Sequence, residues 1–168
     1  MIKSANINDA VNIIELNIKE WKNTYKDIFP SEYLENLDNL KEETILKCQD
    51  KIHEYVVFEE DNKILGFIKF GSNRQNYSSE YGEIHALYVL SESQKKGIGK
   101  QLIDYVLENN KGKYKYFLVA TLAANSANIF YKKYGFKKVK DIYFELNDKR
   151  YEENLYCIKM VDWENKNI

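Results

Sequence analysis

The sequence predicts a mixed α/β fold, with one sheet of about seven strands and helices on both faces. Strand-like and helix-like patterns alternate through the second half of the chain. Two short polar turns, at residues 61–63 and 147–149, each join a pair of strand-like runs. Around residue 97 a strand-like run passes through a glycine-bearing turn into a helix pattern. No repeat or proline-rich linker interrupts this order, so we expect one domain over residues 1–168.

The first half of the chain is predicted to supply a short strand, three helices and a hairpin. Residues 2–6 form the strand, and Asn8 is a good N-cap type for the first helix. Pro30 and Ser31 begin a second helix. The apolar positions of the first helix recur at helical spacing at Val11, Ile14, Ile18, Trp21 and Tyr25. The remaining predicted elements are a helix over 42–48 and strands over 55–58 and 64–70.

The second half is predicted to alternate strands with two helices and to end in a hairpin. A helix follows the glycine-bearing turn, because its apolar residues from Ile98 to Leu107 share one stripe. A shorter helix ends at Gly135, which is a suitable left-handed stop. The predicted strands of this half cover residues 83–90, 114–121, 139–146 and 151–160.

Composition excludes several classes of protein. The chain has 168 residues, 44% hydrophobic and 30% charged, which is ordinary for one globular domain. Its net charge of −1 predicts no general attraction to nucleic acid or anionic membrane. No apolar run is long enough to span a membrane, and the first residues lack the apolar stretch of a signal peptide. Cys48 and Cys157 form no disulfide framework, so we expect a cytoplasmic protein.

The segment from Gln94 to Lys100 has the pattern of a phosphate cradle. A strand feeds a turn with Gly97 and Gly99, and the turn opens a helix. Glycine lets the backbone approach a ligand closely, and free N–H groups at a helix start point at an anion. The backbone from Lys96 to Lys100 is therefore expected to face a phosphate, with the side chains of Lys95, Lys96 and Lys100 adding charge.

Spacing excludes two common phosphate motifs. A Walker loop requires glycine at position 94 and Ser or Thr at position 101, and both positions are Gln. A dinucleotide fingerprint requires a third glycine at position 102, which is Leu. The remaining pattern is Gln-x-x-Gly-x-Gly, which by itself also fits an ordinary strand-to-helix turn.

A second motif suggests a family. The run Ala127-Asn128-Ile129-Phe130-Tyr131, followed by Gly135-Phe136, predicts a short helix, a glycine stop and a new strand. Together with the Gln94–Gly99 loop, it resembles the GNAT superfamily of acetyl-CoA-dependent N-acetyltransferases. The resemblance implies acetyl-CoA as cosubstrate and a pyrophosphate bound at the loop. It also implies a GNAT-like sheet in which two central strands splay apart to admit the cofactor.

The same resemblance assigns further cofactor contacts. The strand before the loop is expected to offer backbone groups of Leu87, Tyr88 and Val89 to the pantetheine arm. Asn128 is expected to hydrogen-bond near the cofactor, and Tyr131 is also expected to contact it. Many relatives carry Asn seven residues before the motif's tyrosine, where this chain has Ala124. We expect the next residue, Asn125, to cap the helix and to contact the cofactor.

Three residues are candidates for proton transfer to and from the reacting groups. Glu83 is an acid within an otherwise apolar strand, and family members often use a glutamate there as general base, frequently through water. Burial would raise its pKa towards neutrality, which suits this task. His85, on the same strand face, is the alternative base and is otherwise expected to contact the substrate. Tyr131 is the expected acid, because a phenol can return a proton to a departing thiolate of similar basicity.

The acceptor is expected to be an amine, and its class stays open. Trp21, Tyr25 and Phe29 resemble the acceptor wall of a bacterial subgroup that includes polyamine and small-amine acetyltransferases. They also extend the apolar stripe of the first helix. A protein N-terminus or lysine is the alternative acceptor, and a non-catalytic acyl-CoA-binding module is the alternative function. We expect no metal, nucleic-acid or membrane partner, and a homodimer is one open expectation.

Overall fold

The computed structural model describes residues 1–167 and contains seven strands and six α-helices in that range. Seven of these elements precede residue 90: β1 Ile2–Ser4, α1 Ala10–Tyr25, α2 Ser31–Asn39, α3 Lys41–Asp50, β2 Tyr55–Glu60, β3 Lys63–Ser72 and β4 Tyr81–Val89. The others are α4 Ile98–Asn109, β5 Tyr116–Leu122, α5 Ala127–Tyr134, β6 Lys137–Leu146, β7 Lys149–Lys159 and α6 Met160–Lys166. The mixed α/β class is confirmed, and α6 was not predicted.

The chain forms two compact units. The first unit contains Met1–Lys69 and Ala86–Val106, and the second contains Phe70–His85 and the chain from Leu107 onward. Strands β3 and β4 each contribute residues to both units. The expectation of one domain over residues 1–168 stays a prediction, and its last residue lies outside the described range.

The first unit has the strand order β1-β2-β3-β4. Strand β2 pairs antiparallel with both β1 and β3. Asp61 and Asn62 have positive φ values of 50° and 60°, which gives the tight turn that the sequence predicted between β2 and β3. Apolar residues of α1, β2 and β3 pack together into this unit's core: Ala10, Ile13, Ile14, Leu16, Ile18, Val57, Ile64 and Phe67.

Helix α1 begins at Ala10, one residue later than an N-cap at Asn8 implies. The Asn6 side chain accepts a hydrogen bond from the Asn8 backbone, and the Asp9 carboxylate accepts one from the Asn6 N–H. This is a capping box, so Asn6 and not Asn8 holds the turn that precedes α1. The buried face of the helix also differs from the predicted stripe, since Val11 is 42% exposed while Leu16 is buried.

The second unit has the strand order β4-β5-β7-β6. Strands β4 and β5 are parallel, and β7 pairs antiparallel with both β5 and β6. Glu83 of β4 lies opposite Leu118 of β5, which in turn lies opposite Cys157 of β7. Side chains at opposed positions emerge on the same face of a sheet. Glu83, Cys157 and, four residues along β7, Glu153 therefore share one face.

The register of β4 with β5 ends in mid-strand. It contains four residue pairs, from Tyr81↔Tyr116 to Ile84↔Val119, although β4 runs on to Val89 and β5 to Leu122. The predicted splay requires such an interruption of pairing between adjacent parallel strands. The last pair lies one residue beyond Glu83, so the pairing ends beside the candidate base.

Candidate active site

The loop from Gln94 to Lys100 has the backbone of an anion cradle. Lys95 and Gly97 are left-handed, with φ values of 65° and 79°. Helix α4 begins directly afterwards at Ile98, and the Gln101 N–H donates to the Gly97 carbonyl at 3.0 Å. The N–H groups of the first helical turn have no partner within the helix, so they are the donors available to a bound anion.

The loop has room for a ligand at Gly97. A Cβ placed on this glycine would find its nearest neighbour, the Gln101 amide nitrogen, at 3.9 Å. Lys95 and Lys96 are exposed beside it, whereas Lys100 forms an ion pair with Asp104 at 2.6 Å. Open space, helix-start donors and lysines together fit a phosphate group.

The end of β4 is fixed to the loop by hydrogen bonds. The Gln94 side-chain amide donates to the Val89 carbonyl at 3.1 Å. A Cβ on Gly66 would lie 3.1 Å from the Tyr88 carbonyl oxygen, so only glycine permits this close approach of β3 to β4. Leu87, Tyr88 and Val89 are half-buried. Of the three predicted pantetheine contacts, Val89 therefore already has its carbonyl bonded within the protein.

Helix α1 also makes hydrogen bonds to the segment before the loop, through Glu20, a residue that the sequence did not indicate. Glu20 is buried, and its carboxylate accepts hydrogen bonds from the Ser91 N–H at 3.2 Å and the Ser91 hydroxyl at 2.8 Å. The hydroxyls of Tyr25 and Tyr88 also lie 3.3 Å apart. Glu20 follows Ile13 and Leu16 at helical spacing, which is the signal that could have placed it on the buried face.

The second unit contains a charge cluster around Glu83. This carboxylate has no exposed surface and accepts from the Arg74 N–H at 2.7 Å. Its other oxygen accepts from the Arg74 guanidinium at 2.9 and 3.2 Å, and from the Gln75 amide at 3.4 Å. The Asn73 side chain organises the same loop by accepting from the backbone of Gln75 and Tyr77. Glu83 is thus paired with Arg74, a residue that the sequence analysis did not single out.

A second carboxylate, Glu153, belongs to the same cluster. The pKa of Glu153 is raised above its ordinary value, mainly because the carboxyl group is buried. The nearby charge of Arg74 opposes this rise, and the charge of Glu83 adds to it. Cys157 lies on the same strand face, and burial raises the pKa of its thiol to about 11. The thiol is therefore protonated at neutral pH and is a poor nucleophile. This face therefore carries two carboxylates, Glu83 and Glu153, with the Arg74 guanidinium as their counter-ion.

His85 is partly exposed on β4. Its Nε2 lies 2.9 Å from the Ser72 carbonyl oxygen. Since a carbonyl oxygen can only accept, Nε2 carries the proton in this contact.

Tyr131 is buried on α5 among aromatic rings. Its ring centroid lies 5.8 Å from that of Phe136 and 6.2 Å from that of Tyr156. Tyr156 precedes Cys157 on β7, so its side chain emerges on the sheet face opposite Cys157. Helix α5 therefore covers the face opposite Glu83.

Asn128 connects α5 to two strands. Its amide nitrogen donates to the carbonyls of Leu122, Ala123 and Asn125 at 2.9, 3.3 and 2.6 Å. Its oxygen accepts from Asn154 at 2.8 Å and from the Tyr156 hydroxyl at 2.6 Å. Both ends of the side chain are engaged within the protein, so the structure gives Asn128 a structural role, and its predicted cofactor contact stays a prediction.

Asn125 performs the predicted capping. Its side-chain oxygen accepts from the Ala127 N–H at 2.9 Å, at the start of α5. The predicted contact of Asn125 with the cofactor stays a prediction.

The predicted acceptor residues form an aromatic cluster in the first unit. Trp21 stacks on Phe29 at 5.7 Å between ring centroids and contacts Tyr25 at 4.7 Å. Tyr25 and Phe29 are buried, and Trp21 is half-buried. Trp21 is therefore the member of the predicted set with the most surface to offer a ligand.

Within residues 1–167, no group of three or more His, Cys, Asp or Glu side chains is arranged to hold a metal ion. None of the helices in this range combines the length and apolar character needed to cross a membrane.

Comparison with known families decides the identity of the fold. The family of acetyltransferase (GNAT) domains matches residues 51–138, which include the loop and α5. The chain belongs to this family. The predicted class of enzyme, an acetyl-CoA-dependent N-acetyltransferase, is thereby confirmed at the level of the family.

Related proteins agree with this assignment. The chain is 27% identical over 156 residues to the uncharacterized N-acetyltransferase YuaI of Bacillus subtilis (strain 168), covering 90% of this chain and 88% of that protein. The fold is similar to PaiA N-acetyltransferase from Thermoplasma acidophilum in complex with coenzyme A, with a TM-score of 0.76, 23% identity, and coverage of 95% and 98%. YncA from Salmonella typhimurium, solved with its cofactor acetyl-CoA, has a TM-score of 0.70, 15% identity, and coverage of 95% and 93%.

Proposed function

We propose that this GNAT acetyltransferase moves the acetyl group of acetyl-CoA onto a primary amine by direct attack. The observation that carries the proposal is the pair of carboxylates, Glu83 and Glu153, on one face of the second unit with Arg74 as counter-ion. With both carboxylates ionised, this set has an excess of one negative charge, which favours a cationic ammonium group over a neutral or anionic acceptor. An acceptor amine arrives in this cationic form at neutral pH.

Direct attack requires the protein to remove a proton from the acceptor. The amine nitrogen forms a bond to the acetyl carbon as the bond to sulfur breaks, so the ammonium must first lose a proton. Glu83 is our candidate base, and the ion pair to Arg74 means that a proton reaches it after that side chain moves or through a water molecule. Arg74 is 58% exposed, so its side chain can turn towards solvent with little loss of packing. His85 is the alternative base.

The departing thiolate requires a proton in return. Acetyl-CoA supplies the acetyl group as a thioester, and its thiolate has a basicity close to that of a phenol. Tyr131 is our candidate acid for this step. Because α5 lies on the face opposite Glu83, base and acid approach the reacting atoms from opposite sides of the sheet.

The proposed contacts with the cofactor are made by the backbone and lysines of the Gln94–Lys100 loop. The first-turn N–H groups of α4 and the backbone at Gly97 would bind the pyrophosphate, with Lys95 and Lys96 adding charge. Gln94 orders the loop by bonding to β4. The acceptor wall formed by Trp21, Tyr25 and Phe29 is part of the same proposal, as is a cytoplasmic location.

The test is a panel of acceptors assayed by release of free thiol from acetyl-CoA. It contains a monoamine, a diamine, a polyamine, a lysine peptide and a peptide with a free N-terminus. We expect turnover with the small amines that exceeds turnover with the peptides. Turnover confined to a peptide would replace the proposal with a protein acetyltransferase, and binding of acetyl-CoA without turnover on any member would favour a non-catalytic module.

Two variants in the same assay test the assigned roles. Tyr131→Phe should bind acetyl-CoA almost normally and turn over about a hundredfold more slowly. Glu83→Gln removes the carboxylate that would accept the proton, so the fall in rate at low pH that protonation of this base would cause should disappear from the pH–rate profile. An unchanged rate in the first variant would remove Tyr131 from the mechanism, and an unchanged profile in the second would transfer the role of base to His85 or water.

A further inference from the structure

Glu20 is an ionisable residue in a position that helix geometry reserves for apolar side chains. It lies on the buried face of α1 with Ile13 and Leu16, and 1% of its surface is exposed. Transfer of a carboxylate from water to such a place is unfavourable unless hydrogen bonds compensate. The partners of Glu20 therefore show what the residue does.

Both oxygens of Glu20 are bonded to one residue of the segment between β4 and α4. One oxygen accepts from the Ser91 N–H at 3.2 Å and the other from the Ser91 hydroxyl at 2.8 Å. The neighbouring residue of α1, Lys19, forms an ion pair with Glu92 at 3.1 Å. Two consecutive side chains of α1 thus hold two consecutive residues of one turn.

This turn leads directly into the anion cradle. Ser91–Ser93 form a single 3-10 turn in which the Ser93 N–H donates to the Leu90 carbonyl at 2.8 Å. The Gln94 N–H then donates to the Ser91 carbonyl at 3.3 Å, and Lys95 takes up its left-handed conformation. The position of Ser91 therefore determines where the cradle's backbone begins.

We propose that Glu20 is a positioning residue that sets the geometry of the phosphate-binding loop through Ser91 and thereby determines the affinity for acetyl-CoA. A cradle made of backbone N–H groups binds well only if those groups are already oriented, because ordering a loop on binding weakens affinity. The inference rests on cofactor binding at the loop and is independent of the acceptor.

If Glu20 had a purely structural role, its replacement would change the stability of the fold and leave the affinity for coenzyme A unchanged. Replacement of Glu20 by methionine removes the cost of burying a carboxylate, and the exposed Ser91 can hydrogen-bond to water in its place. Glu20→Met should therefore fold with equal or greater stability. If Glu20 positions the loop, the same variant should nevertheless bind coenzyme A more weakly. Stability and affinity measured together therefore distinguish a positioning role from a packing role.

The experiment measures the Kd for coenzyme A by titration calorimetry, alongside the melting temperature. The variants are Glu20→Met, Ser91→Ala and their double mutant. We expect a rise in Kd of about tenfold for each single variant and no further rise for the double mutant, since the two residues act through one contact. The KM for acetyl-CoA should rise in parallel, with kcat at saturation unchanged within about twofold.

The matched control is Glu15→Gln. Glu15 also lies on α1, but it is exposed and forms an ion pair with Lys41 at 2.6 Å. Its replacement should leave the Kd unchanged. An unchanged Kd in folded Ser91→Ala would overturn the proposal even if Glu20→Met failed to fold. A wild-type protein that binds no coenzyme A would overturn the cradle itself, whereas binding without turnover would count against the proposed reaction alone.

Discussion

Within residues 1–167, each of the two units buries one glutamate, and the two carboxylates are compensated in different ways. Glu83 in the second unit is 0% exposed and pairs with the Arg74 guanidinium as well as two neutral donors. Glu20 in the first unit is 1% exposed and, among the described residues, hydrogen-bonds to the two donors of Ser91. The first arrangement neutralises charge, whereas the second only solvates it.

The difference indicates different functions. A charge pair in which one partner is exposed can open, because the arginine can exchange its partner for water or for an incoming cation. Ser91 is also exposed, but it carries no charge that an incoming cation could replace, so we interpret its contact with Glu20 as a structural link between α1 and the turn. We therefore interpret Glu83 as part of a site that changes during turnover and Glu20 as part of the scaffold of the cofactor loop.

Removal of the counter-ion should have the largest effect on stability. Arg74→Ala leaves the Glu83 charge buried with neutral donors, and we expect a loss of about 3 kcal/mol in the free energy of unfolding. Urea denaturation measures it. Arg150→Ala is the control, because Arg150 is exposed and stacks on Tyr143, and its loss should be under about 1 kcal/mol.

A double variant tests whether the buried charge causes the loss of stability. Arg74→Ala combined with Glu83→Gln removes the buried charge together with its counter-ion, so most of the lost stability should return. If the double variant were as unstable as the sum of the single variants, the pair would not be the source of the effect.

Removal of a neutral donor should have a smaller effect. Ser91→Ala deletes the hydroxyl that solvates Glu20 but leaves the backbone N–H in place, so we expect a loss of about 1–2 kcal/mol. The same urea experiment measures it, with Ser126→Ala for comparison, because Ser126 is also exposed but its side chain makes no capping hydrogen bond to α5. A loss equal to that of Arg74→Ala would contradict the distinction between a neutralised and a solvated carboxylate.

The Glu153 carboxyl group should make the stability of the fold depend on pH. Burial raises its pKa in the folded state above the ordinary value of 4.5, so the folded protein binds the proton more tightly than the unfolded chain. Stability should therefore fall as the pH rises through the interval between the two values. Glu153→Gln should raise the melting temperature relative to wild type more at pH 8 than at pH 4. An equal difference at both pH values would show that the carboxyl group is not responsible.

The smallest effect is expected at the exposed partner of the Ser91 turn. Lys19 and Glu92 form an ion pair whose side chains are 51% and 61% exposed, so solvent and salt weaken it. Glu92→Gln should leave the melting temperature and the Kd for coenzyme A close to wild type in 0.15 M salt. A large change in either would mean that Lys19 and not Glu20 is the main tie to the turn.

Much of the fold could be predicted because its signals are local. Alternating and helical periodicity located the strands and helices, and the turns at residues 61–62 and 147–148 have the left-handed backbone that their residue types favour. The short helix α6 was missed, since Met160 and Trp163 in a seven-residue stretch give too little periodicity to distinguish it from the end of a strand.

The candidate site could be predicted only in part. The glycine loop and the α5 motif are contiguous in sequence, so both were found. The partners of the buried carboxylates are not, because Glu20 and Ser91 are 71 residues apart and their contact depends on tertiary packing. Arg74 lies in a polar loop whose sequence resembles any exposed turn, and only the structure shows that it neutralises Glu83.

The most direct test of the account is the affinity of the loop for acetyl-CoA, measured by calorimetry on wild type and Gly97→Val. A matched control exists, since Gly112→Val imposes the same backbone strain at a φ of 80°, close to the 79° of Gly97, but lies outside the cradle. We predict that Gly97→Val abolishes binding while Gly112→Val retains the wild-type Kd. Tight binding of acetyl-CoA by folded Gly97→Val would contradict the assignment of this loop as the cofactor cradle.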